Sequence, residues 1–426
     1  MPEAITELRN SEASFHPHNK HSLRHQKMLK HQKVSEWADS LPAANNVTVD
    51  SPGESYLAIC KRAEHNRIIN NFAAALKDLD AAVALKPQKP QAWSLRGAVY
   101  RMMDQYEDAL YNLTMALNID PKNDFALRNR GDVYRRMNQC ELAIADLDES
   151  LKLRSDNTFA LRVRGTALCI LNRHSEALKD LDRALELNPT DAAALAVRGE
   201  VYMYMNKFVE ALVDLDKTLD LCPTDAATYR ARGRLYRILN HLQEALNDFD
   251  ISLQLDPNNA SALRNRGEIY RLLELYDAAL GDLNKSLNIE PNNPVALANR
   301  GEIYRMLHQF TESLLDLNTS LSIKPDNPFA LRSRGALLRM IGEYTQALSD
   351  FDAALEIKPD DAFALRNRGS VLRKLRRYKD AQCDLKRSLQ LEPNNVFAQR
   401  EMRKSHRQST LSSTASSRAM TDTAQD

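Results

Sequence analysis

Arginine stands immediately before glycine nine times in this chain, at Gly97, Gly131, Gly165, Gly199, Gly233, Gly267, Gly301, Gly335 and Gly369. The spacing is 34 residues throughout, without drift. Fifteen residues after each glycine an aspartate recurs: Asp146, Asp180, Asp214, Asp248, Asp282, Asp316, Asp350 and Asp384, with Asn112 standing in after Gly97. Asp78 keeps the same beat one period earlier, after Ala63. Arginine and aspartate at a fixed separation point to ion-pair chemistry, in which a planar guanidinium meets both oxygens of one carboxylate. An arginine beside a glycine is partly buried and needs such a partner, because an unpaired buried charge is expensive.

Other reactive side chains do not assemble. His16, His18, His21, His25 and His31 lie among Lys20, Arg24, Lys27, Lys30 and Lys33, with no flanking cysteine or acid to complete a metal site. Cys60, Cys140, Cys169, Cys222 and Cys383 occupy five different places in the repeat, an odd and scattered set that reads as reduced thiols of the cytosol or nucleus. No phosphate loop, nucleophile elbow or metal motif occurs. The chain therefore reads as non-enzymatic, with no catalytic residue, cofactor or metal.

The elements that hold these residues follow from the period. A strict 34-residue repeat is the signature of a stacked array, in which each unit buries its apolar face against its neighbours. In residues 260–293 the apolar side chains fall at steps of three and four, which predicts two helices near 261–273 and 277–289. Proline recurs at Pro87, Pro121, Pro189, Pro223, Pro257, Pro291, Pro325, Pro359 and Pro393, with Ser155 the one exception, and punctuates the units. Glycine inside a helix costs about 1 kcal/mol relative to alanine. Its return in nine units predicts a site where the two helices cross too closely for a Cβ. Small residues twelve positions later, from Ala109 to Ala381 with Ser313 the only change, fit the same crossing.

A large apolar residue four before the glycine, an aromatic three after, a small residue at twelve and proline at twenty-four read Trp93, Gly97, Tyr100, Ala109 and Pro121 in the first regular unit. This pattern resembles the tetratricopeptide repeat, over residues 56–395. The resemblance implies an all-α, tetratricopeptide-type helical-hairpin solenoid, a right-handed superhelix of about ten repeats and about twenty-one helices. One departure stands out: the family has an aliphatic residue before the glycine, where this chain has arginine from Arg62 to Arg368.

The resemblance also implies a concave groove lined by the first helix of each hairpin, through positions three before, two before, one after and four after the glycine. Arginine recurs three before (Arg128, Arg162, Arg230, Arg264, Arg332, Arg366) and four after (Arg101, Arg135, Arg237, Arg271, Arg305, Arg339, Arg373). Asp132, Glu200, Glu268 and Glu302 stand between them, at helical spacings where i,i+3 and i,i+4 pairs meet. In units eight and nine Ala336 and Ser370 replace the acid, which leaves Arg332, Arg339, Arg366 and Arg373 unopposed on this reading. Asn129, Asn265, Asn299 and Asn367, two before the glycine, offer amides that can grip a peptide backbone. Residues 362–407 carry a net charge of +9 in a chain of net +1, and the groove arginines are read as lacking interleaved aromatic residues. The expected function is a protein–protein interaction scaffold or adaptor that binds extended or acidic partner segments in the groove. The alternative is a phospho- or polyanion-binding module built on the basic C-terminal repeats; nucleic acid is disfavoured.

The expected organisation is a disordered, His-rich leader over 1–55 with one short helix near 22–38, and a repeat array over 56–395. Within the array, 56–89 is degenerate and 90–395 holds nine regular repeats. A capping helix over 396–407 and a disordered Ser/Thr-rich tail over 408–426 follow. No apolar run is long enough to span a bilayer, and the first residues lack the apolar core of a signal peptide, so the expected location is the cytoplasm, with the nucleus as the alternative.

Overall fold

A computed structural model describes residues 55–422. The leader, including the helix expected near 22–38, and the last four residues lie outside the described residues. Within them the chain forms 21 helices and no strand, from Tyr56–Ile68 to Val396–Asp422. Each repeat is a helical hairpin; residues 260–293 give Ala260–Leu272 and Tyr276–Ile289, within one residue of the predicted bounds. The degenerate first repeat is a complete hairpin too, Tyr56–Ile68 with Phe72–Leu85.

Local signals set these boundaries. Most first helices start on an Asn or Asp cap, such as Asn123, Asn157, Asp191, Asn259 or Asp361, whose side chain accepts from the third amide of the helix. The turn to the second helix needs one left-handed residue, seven after the glycine. Asn138, Asn172, Asn206 and Asn240 supply it with φ between 56° and 62°, and Gly342 with φ 94°. Asparagine tolerates this conformation and glycine enjoys it, whereas Glu274 (φ 60°) and Arg376 (φ 64°) hold it at a cost. Glu274→Gly is therefore expected to raise stability by about 0.5–1 kcal/mol, while Asn138→Gly changes little. Urea unfolding of the two variants checks this; a loss from Glu274→Gly would show that its side chain has another task.

The glycine sits at the close crossing. A Cβ on Gly131 would lie 2.7 Å from the Leu147 Cγ and 3.2 Å from the Ala143 carbonyl oxygen. So glycine makes room for the large residue sixteen places on, and the alanine twelve places on brings the backbone close. Ser313 keeps the crossing small, and its hydroxyl donates to the Gly301 carbonyl at 2.7 Å.

The chain divides into two units, residues 2–231 and 232–426, with the boundary inside the helix Ala226–Ile238. In the first unit, buried Leu113 belongs to one apolar cluster and buried Leu147 and Leu181 to the next, at the same place in successive hairpins. In the second, Phe249, Leu283, Leu317 and Phe351 fill the same places. Within each unit the first helices of successive hairpins also touch one another, so their shared face is the inner one of the stack.

The last helix differs from expectation. It continues from Val396 to Asp422 where a cap ending at Arg407 and an unstructured stretch from 408 were expected. No proline or glycine follows Pro393, so nothing in the sequence stops the helix. Ala398, Glu401 and Ser405 are buried on it, at helical spacing.

Candidate peptide-binding face

The arginine before each glycine is a staple. Arg266 donates from Nε and Nη2 to the two oxygens of Asp282 at 2.7 and 2.8 Å, the bidentate pair that the sequence predicts. Arg130, Arg164, Arg198, Arg232, Arg300, Arg334 and Arg368 do the same with Asp146, Asp180, Asp214, Asp248, Asp316, Asp350 and Asp384. Its remaining nitrogen reaches the second helix of the preceding hairpin: Arg266 Nη1 donates to Asp250 at 2.6 Å, Arg164 to Asp148 at 2.6 Å and Arg368 to Asp352 at 2.7 Å. One guanidinium thus ties three helices, and the hydrogen bond to Asp282 raises the pKa of Arg266 above the ordinary arginine range. The signal for this third contact lies in the aspartates seventeen after the glycine (Asp148, Asp182, Asp250, Asp352), a spacing that the Arg–Asp pair within one hairpin does not use. These residues hold the register and leave little to offer a ligand.

On the inner face, the four arginines taken as unopposed separate. Arg332 Nη1 donates to Asp361 at 2.6 Å, Arg366 Nη1 to Glu392 at 2.8 Å and Arg373 Nε to Glu401 at 2.8 Å. The basic row is therefore not open at these three arginines, contrary to the expectation from sequence. The acids come from the cap of the next hairpin, from a loop and from the terminal helix, and only stacking brings them over the arginines. Burial pushes Asp361 up, but Arg332 beside it wins and holds its carboxyl below the usual range. Arg373 is only 8% exposed and belongs to a buried cluster with Ser370 and Glu401. Arg339 is the exception. It is half-buried, its Nε is buried without a partner, and no hydrogen bond or ion pair satisfies it among the described residues. Its guanidinium lies 5.6 Å from the Phe397 ring centre, and burial, with Arg305 nearby, pushes its pKa down.

The four asparagines do not form an open ladder. Asn129, Asn265, Asn299 and Asn367 are all buried, and each donates to the carbonyl four residues back, at Phe125, Ser261, Val295 and Phe363. Asn129 also accepts from Arg101 and Asn299 from Arg271 of the preceding hairpin. Asn129 and Asn299 thereby link neighbouring first helices.

Aromatic side chains do interleave with the arginines, against the sequence reading. Phe125 and Phe159 in the first unit, and Phe329, Phe363 and Phe397 in the second, stand six before the glycine position and are half-buried. Arg128, Arg162, Arg332 and Arg366 each stack on the phenylalanine three residues earlier, at 5.0–5.3 Å. The signal was the recurring run Phe-Ala-Leu-Arg, at 125–128, 159–162, 329–332 and 363–366. Each pair sets an aromatic ring beside a guanidinium at the same place on its first helix.

A pattern described as tetratricopeptide repeat matches residues 69–124, 128–192, 164–226, 230–294 and 337–395, more than half of the chain. A search of curated proteins finds no match. Among solved structures, a tetratricopeptide repeat protein from Parabacteroides merdae is similar at 23% identity, over 58% of this chain and 98% of that one, with a TM-score of 0.47. The APC/C hetero-tetramer Cut9-Hcn1 is similar at 13% identity, over 83% and 96%, with a TM-score of 0.44. Yeast Tom70 is similar at 17% identity, over 83% and 88%, with a TM-score of 0.41.

Proposed function

This chain belongs to the tetratricopeptide repeat family, and from that premise we propose that it is a non-enzymatic scaffold holding an extended partner segment on the inner face of its first helices. The observation that carries this reading is Arg339. A half-buried cation with no hydrogen-bond partner is costly to keep, and it lies on a face where phenylalanines and arginines alternate. An acidic residue of a partner would relieve that cost. In the second unit the same observation narrows the expected acidic specificity to Arg339 among the four arginines, because Asp361, Glu392 and Glu401 already occupy Arg332, Arg366 and Arg373. The polyanion alternative has less support for the same reason, since a phosphate or nucleic-acid chain needs several uncommitted cations.

A reducing compartment, cytoplasm or nucleus, suits the five free thiols, and burial pushes Cys60 and Cys140 up in pKa and away from reactivity. No helix among the described residues is long and apolar enough to cross a membrane.

Capture from a cell extract tests the reading. The intact chain should retain one or a few specific partners, and Arg339→Glu should lose them while melting unchanged. Retention of every partner by Arg339→Glu would move the binding surface elsewhere.

A further inference from the structure

The first unit holds a second unmatched set of donors, built in a different way. Most first helices begin on a capping Asn or Asp, eight before the glycine. Asp191 caps with Oδ1, which accepts from the Ala194 amide at 3.0 Å, and its Oδ2 lies 3.6 Å from the Arg162 Nε. Asp361 does the same: Oδ1 accepts from Ala364 at 2.9 Å, and Oδ2 accepts from Arg332 at 2.6 Å. In both cases the arginine lies 29 residues before the cap. The same register sets Arg128 opposite Asn157. There the cap is an amide. Asn157 Oδ1 accepts from Ala160 at 3.2 Å, which fixes the orientation of the amide and turns Nδ2 to the place where the aspartates present Oδ2. Asn157 is nine-tenths buried, and its Nδ2 has no hydrogen-bond partner.

Arg128 is left without an acceptor as well. Among the described residues no hydrogen bond or ion pair engages its half-buried guanidinium, which rests 5.0 Å from the Phe125 ring centre. The charged groups facing it are Asp124, Glu64, Arg154 and Arg67. Asp124 accepts from Ser150 at 2.6 Å and lies 3.8 Å from Arg154, and Glu64 is held by Arg67 at 2.7 Å. Both acids are therefore committed elsewhere. By the register of Arg162 with Asp191 and Arg332 with Asp361, a cation and a buried amide donor stand where sister hairpins put a carboxylate oxygen.

We propose that Arg128 and Asn157 form a notch for one carboxylate, the side chain of a glutamate or aspartate in an extended partner segment lying over Phe125 and Phe159. This rests on the scaffold reading and adds where the partner's acid sits in the first unit. A carboxylate fits better than a phosphate group, because one guanidinium and one neutral amide match a single negative charge with two acceptor oxygens.

The test supplies the missing acid within the chain. Asn157→Asp recreates the arrangement of Asp191 and Asp361, so it should melt above the wild-type chain and close the notch. Binding of a short labelled Gly/Ser peptide bearing spaced glutamates, and of its glutamine counterpart, is followed by fluorescence anisotropy with the full chain. The wild-type chain should prefer the glutamate peptide by about tenfold, the scale of one charge-assisted hydrogen-bonded contact. Asn157→Asp and Arg128→Gln should each erase that preference, and Arg183→Gln, an exposed change on the helix His174–Leu187, should keep it. Equal binding of the two peptides by the wild-type chain, an undiminished preference in Asn157→Asp, or a lower melting temperature for Asn157→Asp would each overturn the notch. A partner captured from extract and kept by Asn157→Asp would overturn the notch while the scaffold stands; no capture by the intact chain would overturn the scaffold itself.

Discussion

Arg266→Leu is expected to lower stability by about 3–5 kcal/mol, the cost of stranding one member of a buried ion pair. Asp282 is buried and would lose both donated hydrogen bonds of the bidentate pair, and Asp250 would lose its own. Asp250 is half-exposed and can hydrate, so Asp282 dominates the loss. The double change Arg266→Leu with Asp282→Leu should recover much of it, because replacing both partners of a buried pair by apolar residues is often near neutral. Urea unfolding of the four chains closes the cycle. A coupling near zero would show that the pair contributes nothing beyond two separate side chains. The damage should also stay local, since each hairpin touches only its neighbours.

Arg373 and Arg339 look alike in sequence, yet their removal should act in opposite directions. Arg373→Met leaves Glu401 buried after losing a charge-assisted hydrogen bond; Ser370 and Lys404 remain as partners. A loss of about 2–4 kcal/mol is expected at the C-terminal hairpin and its terminal helix. Hydrogen exchange should report faster opening of Ala362–Lys374 and Val396–Asp422 before the rest of the second unit. Arg339→Met removes a cation that has no acceptor, so stability should hold or rise by about 1 kcal/mol. Equal losses from the two changes would mean that Arg339 has a partner in solution that the fold does not hold in place.

The contrast between these two arginines shows where sequence reasoning reached its limit. The hairpin, the glycine crossing and the Arg–Asp staple were legible because each lies within one repeat, where the spacing of 34 makes every signal recur. The left-handed turn carries a signal too, in Asn138, Asn172, Asn206 and Asn240, seven after the glycine. The inner face was harder. Opposition to Arg332, Arg366 and Arg373 comes from Asp361, Glu392 and Glu401, 26–29 residues onward, and depends on how one hairpin stacks on the next. Helical spacing within one helix cannot reveal such partners. The asparagines misled for a related reason: an amide reads as a free gripping group until its own helix carbonyl is seen to take it.

The proposal that partners lie on the inner face is tested most directly by photo-crosslinking. A benzoylphenylalanine placed at Phe363, on the first-helix face, is compared with one at Leu315, which is 68% exposed on a second helix. Once a partner has been captured, the probe at Phe363 should form a crosslink to it that Arg339→Glu abolishes, and the probe at Leu315 should form none. A crosslink from Leu315 with none from Phe363 would contradict the inner-face assignment and place recognition on the second helices.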